Sequence, residues 1–121
     1  MTKKAMGKNF LLLFRGGADP RQVSSEEMQR IMDNWFSWIN KLKKHGQFKV
    51  GHPLEEAGRV LSGKKGRNVA GFVEAYDSVG GYLLIQARSL AEATKIAREC
   101  PILDNGGTVE VRPIVVLPEK P

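Results

Sequence analysis

The chain predicts an α+β fold: a ferredoxin-like βαββαβ domain with a hairpin insertion. Three observations predict it. Two apolar runs, Phe10-Leu-Leu-Leu-Phe14 and Tyr82-Leu-Leu-Ile85, read as core strands. Two capping-box sequences, Ser24-Ser-Glu-Glu27 and Ser89-Leu-Ala-Glu92, each open a stretch of helical spacing. Thr108-Val-Glu-Val-Arg112 alternates as a closing strand.

Met1 to Asn9 reads as a basic start. Phe10 to Arg15 is continuously apolar up to its charged end, which suits a strand covered on both faces. Gly16-Gly-Ala-Asp-Pro20 breaks it; the pair of glycines lacks the Lys-Ser/Thr of a phosphate loop and reads as a connection. From Ser24 onward, Met28, Ile31, Met32, Trp35, Trp38, Ile39 and Leu42 recur at helical spacing and form one apolar stripe, with Phe36 beside it. This stripe reads as a face packed on a sheet, although the tryptophans and methionines could line a ligand pocket. Lys41, Lys43, Lys44 and His45 complement the C-terminal end of the helix dipole, and Gly46 is suited to the stop.

Gln47 to Leu54 predicts a strand in which Phe48 and Val50 alternate with polar positions and Gly51-His-Pro53 interrupts the end. Arg59-Val-Leu-Ser62 and Arg67-Asn-Val69 flank the turn Gly63-Lys-Lys-Gly66 and read as a hairpin excursion, a pocket rim or lid. Val79 to Ala87 is the second core strand. Leu90, Ala93, Ile96, Ala97 and Cys100 follow at near-helical spacing until Pro101, and Asp104-Asn-Gly-Gly107 turns the chain into the last strand. Val115, Val116 and Leu117 in the tail suggest that it packs on something. Four strands with both helices on one face leave the other face open and partly apolar. Two copies pairing these faces in a homodimer would cover it.

The length of 121 residues suits a single domain, 1–121, with its core over about 9–114. A hydrophobic fraction of 41% and a charged fraction of 26% are ordinary for a soluble globular protein and argue against disorder. No apolar run approaches the roughly 20 residues that span a bilayer. Lys3, Lys4 and Lys8 before Phe10 imitate a signal peptide, but the apolar run ends at Arg15 and no small-residue cleavage site follows. The expectation is a cytoplasmic protein. Cys100 is the sole cysteine, so an intramolecular disulfide and a cysteine-rich zinc site are excluded. It reads as a small buried hydrophobe. The net charge of +6 gathers at Lys3, Lys4 and Lys8, at Lys41, Lys43, Lys44 and Lys49, and at Arg59, Lys64, Lys65 and Arg67. These are read as solvated ends and loops, with attraction of anions as the alternative.

The order and spacing of Phe10-Leu-Leu-Leu-Phe14, Ser24 to Gly46, Gly51-His-Pro-Leu54, Glu74 with Gly80-Gly-Tyr82, Ser89 to Ala97, Cys100-Pro-Ile102 and Gly107 to Ile114 resemble the YCII-related family, and within it the proteins named for a DGPF motif. The resemblance covers Asn9 to Ile114. It implies a ferredoxin-like fold that dimerises as an α/β barrel, sheet against sheet. By analogy with enzymes of the wider superfamily that act on small aromatic or lactone compounds, it also implies a cleft for a small molecule. Aligned backwards from Gly80-Gly-Tyr82, the name-giving motif falls on Val69-Ala-Gly-Phe72, where only the aromatic residue is kept and Val69 stands in place of the aspartate. A histidine and an aspartate are the suspected active pair in some relatives, and that pair does not carry over intact.

His52 lies in the matched segment and is the candidate general base, with Glu74 or Asp77 to orient it. A surface or hydrogen-bonded turn histidine is the plainer reading of His52, as helix capping is of His45. Arg15, Phe72 and Tyr82 are the candidate ligand-binding residues: a cation at the end of the first strand for an anionic group, and two rings for the pocket wall. The histidines show no metal-ligand spacing, and no metal or cofactor is expected. Asn68 to Ala75 holds Phe72-Val73 in places that suit an RNA-binding sheet, yet the basic start and the other aromatic residues are missing, so an RRM is excluded. The expected function is a homodimer with a small-molecule cleft between sheet and hairpin, the ligand polar or anionic and the role unknown. The alternatives are a metal-free acid/base enzyme acting on a small polar or aromatic compound and non-specific anion or nucleic-acid binding.

Overall fold

The computed structural model describes residues 7–70 and 78–118. Among the described residues, six strands and two α-helices follow in chain order. They are β1 (Lys8–Arg15), α1 (Ser25–Lys44), β2 (Phe48–Pro53), β3 (Val60–Ser62), β4 (Asn68–Ala70), β5 (Val79–Ala87), α2 (Leu90–Ala97) and β6 (Thr108–Pro113). The main sheet has the order β2-β5-β1-β6 and is antiparallel throughout. Strands β1 and β2 therefore run the same way with β5 between them, bridged by α1. This split βαβ arrangement, repeated by β5-α2-β6 around β1, is the ferredoxin-like fold. The inserted hairpin forms a separate two-stranded sheet, β3 against β4.

Local chemistry sets the element ends. The Ser24 hydroxyl accepts the Glu27 N–H at 3.0 Å and the Ser89 hydroxyl accepts the Glu92 N–H at 3.1 Å, so each helix starts at its predicted cap. At the far end of α1, His45 caps the helix with Nδ1 2.8 Å from the Lys41 carbonyl, and Gly46 takes a φ of +69. Helix α2 ends at Ala97, and Pro101 opens a 3₁₀ turn over Pro101–Asn105. Cys100 thus lies after the helix rather than on its apolar face, and is buried all the same.

Register assigns the two faces. Phe10 stands opposite Ile85, Leu12 opposite Leu83 and Phe14 opposite Gly81; these pack under Trp38 and Leu42 of α1 and Ala93, Ile96 and Ala97 of α2. The residues between them, Leu11, Leu13, Tyr82 and Leu84, face the uncovered side and are half-buried by their neighbours alone. The expectation that β1 is covered on both faces is corrected: both helices lie on one side of the sheet. Gly51, His52 and Pro53 also belong to β2 rather than interrupting it. An edge strand tolerates proline because its outward N–H has no partner to lose. The tail after β6 does not pack on its own chain, with Val115, Val116 and Leu117 at 76%, 88% and 78% exposure.

Candidate functional site

Helix α1 crosses the β2–β5 half of the sheet without closing on it. Between them lies a cavity of about 440 Å³. Phe14, Leu83 and Phe48 line its sheet side, and Trp35, Phe36 and Ile39 line its helix side. Two glycines lie on the helix-facing surface of the sheet there: Gly81 leaves room, while Gly51 lets Leu83 and the β5 backbone come close. Gly81 is opposite Phe14 and Pro53, and Gly51 is opposite Leu83. Phe14, Trp35 and Trp38 form an edge-to-face cluster with ring centroids 5.2, 5.7 and 6.3 Å apart, which fixes the Trp35 ring as one wall. The Trp38 indole N–H is buried and has no hydrogen-bond acceptor among the described residues. Met28 and Met32 complete the helix side with flexible side chains, Met32 at 44% exposure. The chemistry of this lining is hydrophobic and aromatic. It suits a largely apolar guest rather than the polar or anionic one expected. Among the described residues, none of the hairpin lines it.

Of the predicted site residues, His52, Tyr82 and Arg15 are among those described. His52 pairs with Tyr82 across β2 and β5, ring centroids 5.8 Å apart. Both border the cavity through their strands, but alternation turns their side chains to the open face of the sheet. A β-bulge is responsible. Phe48 pairs with Ile85 and Val50 with Leu84, so one extra residue is absorbed between them. Strict alternation would have put Phe48, Val50 and His52 on one face; the bulge leaves Phe48 toward the helix and sends Val50 and His52 away.

Arg15 is on the open face as well. Its guanidinium donates to Glu110 Oε1 at 2.7 Å, and Arg112 donates to Glu110 Oε2 at 3.2 Å. The Arg15 hydrogen bond first, and the Arg112 bond second, hold the Glu110 carboxyl below the usual carboxylate range. Arg15 is therefore a partner of Glu110 and not a cation at the cavity. Phe72, Glu74 and Asp77 lie outside the described residues, and with them the proposed pairing with His52. Val69, at the aligned aspartate position of the family motif, is on the exposed hairpin at 59%. Burial pushes the Cys100 thiol up to about 12 and keeps it a buried apolar group. Among the described residues, no three His, Cys, Asp or Glu side chains gather where they could hold a metal ion.

Sequence reasoning missed the two glycines. Gly81 was visible as half of Gly80-Gly81, and Gly51 as the residue before His52, but a helix-facing glycine is recognisable only once the register is known.

The chain matches the model of the YCII-related domain over residues 13–118. Among solved structures it is similar to the 5-chloro-2-hydroxyhydroquinone dehydrochlorinase of Burkholderia phenoliruptrix AC1100, in complex with 2,5-dihydroxybenzoquinone. The identity is 19% and the TM-score 0.47, over 88% of this chain and 93% of that one. No curated protein matches it.

Proposed function

We propose that this chain, which belongs to the YCII-related family, binds a small, largely apolar and aromatic compound in the cavity beneath α1. The carrying observation is the cavity itself: about 440 Å³, within the range of small-molecule sites, walled by Phe14, Trp35, Phe36 and Phe48. An aromatic guest gains apolar burial and edge or offset contact with Trp35. The only titratable side chains at the border, among the described residues, are His52 and Tyr82, and they are turned to the opposite face. Binding is therefore better supported than acid/base catalysis by His52.

The open face supports a second proposal, a homodimer. Leu11, Leu13, Tyr82, Leu84 and Val50 share this face, and a second copy would cover them.

Titration with the fluorescent arene 1-anilinonaphthalene-8-sulfonate, read by its emission and by tryptophan quenching, tests the cavity. Gly81→Val and Met28→Trp both fill it and should each weaken binding at least about tenfold, the loss of roughly 1.4 kcal/mol. His52→Ala should bind as the parent does. Unchanged binding by both filled variants, or binding lost only in Leu84→Asp on the open face, would refute the cavity as the site.

A further inference from the structure

The tail after β6 is Ile114-Val-Val-Leu-Pro118. The Ile114 N–H donates to the Asn9 carbonyl at 3.0 Å, and there the sheet pairing ends. Beyond it, Val115, Val116 and Leu117 have almost their whole surface in water. Three consecutive apolar residues of high strand propensity, uncovered by their own domain, are a surface that lacks its partner.

Area indicates what that partner is. Four strands spaced about 4.8 Å apart and about seven residues long give the open face roughly 450 Å². A standard stable interface takes about 800 Å² from each partner. The footprint of the sheet is smaller than that, so surface beyond the sheet adds to the pairing. The three tail side chains carry on the order of 100 Å² each, which brings each copy close to the requirement.

The acid described on the last strand, Glu110, is already compensated. Glu110 has both carboxylate oxygens engaged by Arg15 and Arg112, on the open face.

We infer that the tail is a clasp: Val115, Val116 and Leu117 of each copy pack against a second copy of this chain at the margin of its open sheet face, and the dimer is weak without them. This rests on the homodimer reading above. A two-fold pairing applies the contact twice, so both tails act together.

Sedimentation velocity across nanomolar to high micromolar concentration tests it on three proteins: the parent chain, V115S/V116S/L117S, and Leu84→Asp. Circular dichroism serves as the control for folding, which the exposed tail should not influence. The inference expects a dimeric parent, a tail variant whose dimer dissociation constant rises about a hundredfold or more, and a monomeric Leu84→Asp. A dimeric parent with an unchanged tail variant overturns the clasp and leaves the dimer standing. A tail variant that is monomeric while Leu84→Asp remains dimeric overturns the placement at the sheet margin. A monomeric parent overturns the dimer reading and the clasp with it.

Discussion

Replacing Gly51 and Gly81 by alanine, one at a time, separates a glycine that close packing requires from one that leaves space. Neither has the positive φ that restricts side chains, so the comparison is steric. A Cβ at Gly51 would lie 2.6 Å from Leu83 Cδ1 and 2.9 Å from the Tyr82 carbonyl oxygen. The oxygen is backbone held by the β2–β5 ladder and cannot move away without loss of pairing. Overpacking of this kind costs about 1–3 kcal/mol, and the upper half of that range applies where backbone must shift. A Cβ at Gly81 would lie 3.2 Å from the His52 oxygen, 3.4 Å from Pro53 Cα and 3.7 Å from Phe14 Cδ2, contacts that a shift of a few tenths of an ångström relieves. Against that small strain stands the gain of about 0.4–1 kcal/mol from a less flexible unfolded chain. Gly81→Ala should therefore be within about 0.5 kcal/mol of the parent, and Gly51→Ala about 2 kcal/mol less stable. In urea, with a slope of roughly 1.5 kcal/mol per molar, Gly51→Ala should lower the midpoint by more than about 1 M at unchanged slope. Equal stability of the two variants, or greater loss at Gly81, would refute the assignment of these glycines to their places under α1.

Three further outcomes are expected. Ser24→Ala and Ser89→Ala remove the hydroxyls that accept the Glu27 and Glu92 N–H groups, and each should cost about 1 kcal/mol in thermal or urea unfolding. The Glu110 carboxyl is held below its ordinary value of 4.5 when folded. Its ion pairs therefore contribute stability above that pH and lose it as the pH falls through the folded value, so urea midpoints measured against pH should show a shallower acid decline for Glu110→Gln than for the parent. The Cys100 thiol, 2% exposed and pushed up to about 12, should react with 5,5′-dithiobis(2-nitrobenzoate) at mildly alkaline pH only as fast as the domain opens, and at once in denaturant; rapid reaction in the folded state would contradict its burial.

Much of the architecture was legible because its signals are local. Ser24 and Ser89 cap where they were expected, and Val79 to Ala87 forms a strand with those bounds. The hairpin turns about Gly63 to Gly66, where glycines and Lys65 take positive φ. Local propensity and spacing suffice for such features, and their order gave the family. Cys100 is the counterexample within one segment: helical spacing extended α2 to it, while Pro101 and the turn that follows ended the helix at Ala97.

The candidate site depended on non-local facts. His52, Tyr82 and Arg15 are chemically the residues one would choose, yet the main sheet turns all three to its open side. A strand's side-chain period is two, so a single bulge between Phe48 and Val50 is enough to reverse His52, and nothing at residue 49 announces it. The cavity has the same origin, since Gly51, Gly81, Phe14 and Trp35 are far apart in the chain and meet only when α1 crosses β2 and β5. The sequence by itself determined the elements, their caps, their order and the family. Tertiary structure decided which face each strand residue occupies and where space remains, because register and helix crossing are properties of paired elements and not of any one segment.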